Sequence, residues 1–148
     1  MIFSLQTVKF NTPPSIPGRP LYRDMPIAPV VVSNGSVALP GRVFVDSMSD
    51  FILLPDWVAT HLQVDLIQAP SHTITLVGGS KVGVRFAEVI LELRNPRASL
   101  RWPATVAFGP TQRWLFGHFG GLEFFHFSLD AVNEEMMLVP RDNLPPLP

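Results

Sequence analysis

Residues 43–55 read VFVDSMSDFILLP, and this stretch decides the fold. Two apolar runs, residues 43–45 and 51–54, flank the short polar segment DSMSD. Short runs rich in β-branched and aromatic residues, bounded by polar residues, are typical of buried strands. The stretch therefore predicts two strands joined by a polar loop close to the core, with Asp46 directly after the first strand.

A hairpin precedes this stretch and a short helix follows it. Asn34-Gly35 favours a tight turn that begins a return strand over residues 37–39, and we expect Pro40-Gly41 to break that strand. Residues 57–62 predict a helix with Asp56 as its N-cap, because apolar residues recur there at helical spacing. That helix would place Trp57 in the core, together with Trp102 and Trp114.

Further short strands follow at regular spacing. They are predicted over residues 73–77, 81–86, 88–93, 102–108, 114–116, 124–129 and 136–139. Many short strands, turn signals between them and one short helix indicate an all-β sandwich or barrel.

The prolines mark the ends of the domain. Of 16 prolines, six fall in residues 1–29 and four in residues 140–148. We therefore expect an extended N-terminal arm over residues 1–26, one domain over residues 27–140 and a tail over residues 141–148.

Composition excludes several kinds of function. The chain has no cysteine, which rules out disulfides and thiolate chemistry, and no pair of its four histidines has zinc-motif spacing. A net charge of −1 gives no electrostatic footprint for nucleic acid. With no apolar run near the ~20 residues of a membrane span and no signal-peptide pattern, we expect a cytoplasmic protein that binds no membrane. The histidine spacing predicts no metal site.

Asp46 has two interpretations when judged locally. A carboxylate after a buried strand can cap its own turn by accepting backbone N–H groups. It can also be a functional group, because placing a charge beside a core is costly without a compensating partner.

Three segments, in order, resemble retropepsin-like aspartic proteases. Residues 43–55 resemble the active-site segment, in which apolar residues precede Asp-Thr/Ser-Gly. Residues 73–86, with Gly78-Gly79 at the tip, look like the flap hairpin. Leu115-Phe116-Gly117 looks like the apolar-apolar-Gly motif, and residues 117–125 are similar to bacterial versions of that segment.

The resemblance implies a single-domain closed barrel with a flap hairpin, and half of an active site that needs no metal or organic cofactor. Of seven aspartates only Asp46 is followed by Ser or Thr, so the second catalytic carboxylate would come from a second copy in a homodimer that cleaves peptide or protein substrates. The implied roles are catalysis for Asp46; loop support for Ser47, Met48 and Ser49; substrate binding by Val77, Gly78 and Gly79; and a structural motif near the dimer interface for Leu115, Phe116, Gly117 and His118.

Met48 stands where the family has glycine. A Cβ and a thioether at this point could crowd the site or require a backbone conformation that L-residues avoid. Two alternatives to the endopeptidase therefore stay open: a catalytically silent dimer that binds peptides or has a structural role, and a monomeric barrel in which Asp46 is a turn residue.

Overall fold

The computed structural model describes residues 1–9, 22–76 and 78–147. Twelve strands and one α-helix lie in these residues. In chain order they are β1 (Ile2–Ser4), β2 (Gln6–Lys9), β3 (Tyr22–Met25), β4 (Ile27–Asn34), β5 (Val37–Val45), β6 (Leu53–Pro55), α1 (Asp56–His61), β7 (Ser71–Thr75), β8 (Lys81–Asn95), β9 (Ala98–Gly109), β10 (Trp114–Phe116), β11 (Phe125–Asp130) and β12 (Glu135–Pro140). The predicted all-β class with one short helix is confirmed. No helix in this part of the chain is long and apolar enough to cross a bilayer.

Six of the strands form a closed barrel. Neighbours around the ring are β4, β5, β10, β6, β9 and β8, and the pairing of β4 with β8 closes it. The β5–β10 and β6–β9 pairs are parallel, and the other pairs in the ring are antiparallel. β7 pairs with β8 outside the ring and makes the predicted hairpin. Each of the six strands therefore pairs with a neighbour on both sides over part of its length.

A single long strand replaces two that the sequence predicts. Residues 81–86 and 88–93 both belong to β8, whose pairing with β9 continues without a break through Ala87. The first part of β8 builds the hairpin with β7, and the last part pairs with β4, with Leu93 opposite Val30. One strand therefore connects the hairpin to the barrel wall.

The predicted break at Pro40-Gly41 is wrong, because β5 runs through both residues. Residues 37–42 of β5 pair with β4, and pairing with β10 begins at Val43. At Pro40 the side of β5 that faces away from β4 is therefore an unpaired edge. A missing backbone N–H costs little at such an edge. Gly41 is required for packing, since a Cβ at this position would lie 2.5 Å from Cη2 of Trp114.

The helix begins one residue earlier than predicted, and it buries a face that does not include Trp57. Pro55 occupies the N-cap position, no side chain caps the helix, and Asp56 lies in the first turn, where a negative charge is favourable. The side chains of Val58 and Leu62 are fully buried, whereas Trp57 is 55% exposed. The prediction of a core position is therefore wrong for Trp57 and confirmed for Trp102 and Trp114.

Aromatic rings fill the centre of the main core. Trp102, Phe116 and Phe125 contact one another edge-on, with ring centroids 5.5 to 6.2 Å apart. The indole N–H of Trp102 donates to the carbonyl oxygen of Gly120 at 2.9 Å, so its one polar atom is satisfied. This core packs beneath β10, the strand that leads to Gly117.

Two small sheets lie outside the barrel. β1, β12 and β11 form one antiparallel sheet, and β2 pairs with β3 in the other. Residues 10–21 of the predicted N-terminal arm lie outside the described residues. The division into an arm, a domain and a tail stays a prediction.

Candidate active site

Asp46 lies at the end of β5, where the strand leaves the barrel wall. Val45 is paired with Phe116, and the Asp46 N–H donates to the Phe116 carbonyl oxygen at 3.1 Å. The chain then turns, with the Ser49 N–H donating to the Asp46 carbonyl oxygen at 3.1 Å. The strand pairing therefore positions the backbone of Asp46 and leaves its side chain partly exposed.

The carboxylate of Asp46 accepts a hydrogen bond from its own loop. The Met48 N–H donates to Oδ1 of Asp46 at 3.0 Å. This is the contact that a turn aspartate makes, and it also fixes the direction of the carboxylate. Ser49 supports the same loop, because its hydroxyl donates to the carbonyl oxygen of Phe51 at 2.8 Å.

Gly117 and His118 pack directly against this loop. The His118 N–H donates to the Ser49 carbonyl oxygen at 2.9 Å, and its ring Nε2 lies 3.0 Å from the Ser47 carbonyl oxygen. A Cβ on Gly117 would lie 2.5 Å from the Ser49 oxygen and would also overlap the carbonyl of Phe51. Glycine is therefore required at 117 because two backbone segments meet there.

The hairpin of β7 and β8 joins the site through its base. Gly78 and Gly79 form its tip with φ angles of +98° and +84°, and the Gly79 N–H donates to the Leu76 carbonyl oxygen at 2.9 Å. Val77, the third residue assigned to this tip from sequence, lies outside the described residues. At the base of the hairpin, the ring of Phe86 contacts the ring of Phe51, with the two ring centroids 5.1 Å apart.

A second, smaller apolar cluster links these elements. Leu53, Val84 and Ala107 are buried at its centre, and Leu115 is among the half-buried side chains around it. Phe119 extends the aromatic contacts, since its ring centroid lies 6.1 Å from that of Phe51. The side chain of Phe119 is 48% exposed. Phe51, Phe86 and Phe119 are not among the site residues predicted from the sequence, although each lies in one of the three segments that carry the resemblance.

Met48 is accommodated without backbone strain. In the described part of the chain the non-glycine residues with positive φ are Gln63 and Glu134, so Met48 has an ordinary conformation. Its side chain is 89% exposed. Neither the crowding nor the backbone strain expected from replacing glycine is found at Met48 in this chain.

Among residues 1–9, 22–76 and 78–147, no three His, Asp or Glu side chains come together as a metal-binding group. The structure brings Asp46, Ser47, Met48 and Ser49 together with Gly117 and His118. It links Gly78 and Gly79 to them through the hairpin base. The functional roles of these residues remain predictions.

Comparison with known proteins finds similar solved structures but no sequence relative. No protein-family model matches the sequence, and no curated protein matches it. Among solved structures the chain is similar to EIAV protease complexed with the inhibitor HBY-793. The TM-score is 0.44 at 15% sequence identity, over 64% of this chain and 83% of the viral protease chain. The closed barrel follows from the strand pairing and does not depend on this likeness.

Proposed function

We propose that this protein is an aspartic endopeptidase of retropepsin type that acts as a homodimer, with one Asp46 from each chain. The geometry of Asp46 carries the proposal. Its carboxylate is partly exposed at the end of a buried strand, oriented through Oδ1 by the Met48 N–H and supported by Gly117 and His118. Such rigid support is what a reacting group needs, because small misplacements are costly in rate.

Two such carboxylates can activate water if a two-fold axis brings them together. Like charges at close range do not both ionise, so the pair shares one proton. One carboxylate accepts a proton from the attacking water while the other donates a proton to the peptide carbonyl oxygen, which gives a tetrahedral diol. The C–N bond of the diol then breaks as the first carboxyl returns its proton to the leaving nitrogen and the second carboxylate takes back a proton from a diol hydroxyl. The exposed Ser47 would bond across the interface, and the hairpin tip at Gly78-Gly79 would close over an extended peptide.

The test of catalysis is a digest of a peptide library between mildly acidic and neutral pH. The parent is compared with Asp46→Asn and with the matched control Asp50→Asn, which removes an exposed carboxylate from the same loop. We expect cleavage by the parent and by Asp50→Asn, and its loss by about 10³-fold or more in Asp46→Asn. Equal cleavage by all three proteins would refute the role of Asp46.

The test of assembly is sedimentation velocity at micromolar concentration. We expect a dimer, because one chain supplies one half of the carboxylate pair. A monomer that still cleaves peptides would exclude the shared site. A monomer without activity would favour the barrel in which Asp46 is a turn residue.

The exposure of Met48 favours one alternative, a catalytically silent dimer that binds peptides or has a structural role. An 89% exposed side chain next to Asp46 extends toward whatever lies opposite the loop, and in a dimer that would be the partner or the substrate. Met48→Gly decides between the two. Cleavage by Met48→Gly alone would identify an intact scaffold that this residue disables. If the parent and Met48→Gly are both dimeric and inert, the endopeptidase proposal is wrong.

A further inference from the structure

His118 is connected to Asp46 through one peptide group. The Ser47–Met48 peptide carries both the carbonyl oxygen that faces His118 Nε2 at 3.0 Å and the N–H that donates to Asp46 Oδ1 at 3.0 Å. The two contacts lie at opposite ends of the same planar unit. A force on the Ser47 carbonyl therefore changes the direction of the N–H that holds the carboxylate.

The chemistry of the contact defines which ring nitrogen carries hydrogen. A carbonyl oxygen can only accept, so His118 must donate from Nε2. The neutral ring is therefore the Nε2–H tautomer, and the doubly protonated ring can make the same bond. The opposite tautomer would place two lone pairs against each other.

His118 is also distinctive among the partners of this loop. In the parts of the chain that the structure describes, residues 46–50 are hydrogen-bonded to the backbone of Phe116, His118 and Phe119, and the His118 ring is the one side chain from outside the loop that bonds to it. The remaining bond that leaves the loop runs from the Ser49 hydroxyl to the adjacent Phe51 carbonyl oxygen. Hydrogen bonds made by backbone groups remain when a side chain is substituted, whereas the bond from the His118 ring is lost when His118 is replaced. The contribution of His118 can therefore be separated from that of the loop's backbone.

We propose that His118 is a positioning residue for Asp46. Its Nε2–H holds and polarises the Ser47–Met48 peptide, and the Met48 N–H in turn orients the Asp46 carboxylate. Hydrogen bonds in such a chain strengthen one another, because each one polarises the next. The inference deepens the proposed function and rests on it as far as catalysis is concerned.

Two substitutions of His118 separate the hydrogen bond from the bulk of the ring. The amide nitrogen of glutamine reaches the position of Nε2, and that of asparagine reaches only the position of Nδ1. We expect His118→Asn to lower kcat for peptide cleavage about tenfold or more with KM within about twofold, because misplacing a reacting group affects the chemical step. His118→Gln should recover most of that loss. The exposed His126 supplies the control variant His126→Asn, which should leave both constants unchanged.

The same variants are tested without reference to activity. Nitrogen-15 NMR of the parent should show hydrogen on Nε2 of His118. The amide proton of Met48 should move upfield in His118→Asn and stay near its parent shift in His118→Gln. A Met48 amide shift that is the same in all the proteins, or the Nδ1–H tautomer in the parent, would overturn the proposal. If the parent cleaves no peptide, the proposed function fails and the NMR result alone decides the role of His118.

Discussion

Glu92 on β8 is held in its ionised form by its neighbours. Nε and Nη2 of Arg94 donate to the two oxygens of its carboxylate at 2.7 and 2.9 Å, and the hydroxyl of Ser99 donates to the same carboxylate. These hydrogen bonds, those of Arg94 first, lower the pKa of Glu92 from 4.5 to about 2. The charges lie on the hairpin of β8 and β9, far in sequence from Asp46.

The lowered pKa of Glu92 predicts a contribution to acid stability. A carboxyl group with a lower pKa in the folded state stabilises the fold at pH above 4.5, and this contribution is lost as the pH falls toward about 2. We expect Glu92→Gln to unfold more easily than the parent in urea at pH 6, with the difference shrinking between pH 4.5 and 2. Glu88→Gln, on the same strand, is the control for loss of one charge. A difference that is constant with pH would contradict the prediction.

At the scale of single residues, sequence patterns located Asp46 but could not describe Met48. The position of a carboxylate after an apolar run is a local property of the sequence, and in the structure Asp46 does follow the last residue of β5. The backbone angle and exposure of Met48 depend on how residues 116–119 support the loop, and that support comes from a segment about seventy residues away.

At the scale of elements, the hairpin tip is where glycine has a conformational role. Gly78 and Gly79 have positive φ, and a Cβ at either position would meet no atom within 4 Å. Substitution there costs backbone strain alone, of about 1 kcal/mol per residue. The strain would act on the shape of the tip and not on the barrel.

We therefore expect Gly78→Ala to lower kcat/KM for peptide cleavage several-fold while changing the melting temperature little. Gly83→Ala is the matched control, because Gly83 lies in the same hairpin without positive φ and without atoms near its Cβ position. Steady-state kinetics and thermal unfolding of both variants check this. A similar loss of activity in Gly83→Ala would show that the conformation of the tip is not the cause.

The strands also show which local signals can mislead. Pro40-Gly41 has the composition of a break, yet β5 continues because one of its edges is unpaired there and because Trp114 occupies the space beside Gly41. Asp56 has the composition of an N-cap, yet Pro55 takes that position. In each case a tertiary contact or a neighbouring residue outweighs the local preference.

At the scale of the whole molecule, the core of the barrel is stabilised by Trp102. Its side chain is fully buried, contacts two aromatic rings and satisfies the carbonyl of Gly120. Replacing it leaves both a cavity and an unpaired carbonyl, and these costs add. The effect should extend to all strands of the ring, since each depends on the closed core.

We expect Trp102→Phe to lower the free energy of unfolding by about 2–4 kcal/mol, measured by urea titration. Trp57→Phe is the matched control, because Trp57 is 55% exposed, and its effect should be within about 0.5 kcal/mol. Equal losses in the two variants would contradict the assignment of Trp102 to the core.

The sequence by itself determined the strand content, the single short helix and the position of one carboxylate after a buried strand. These properties are set locally, because the period of apolar residues and the placement of turn residues act over a few positions. The tertiary structure decided that β10 lies beside β5, that β4 closes the ring with β8, and that His118 meets Ser47. Contacts between distant segments depend on the packing of all the side chains together, and no short window of sequence contains that information.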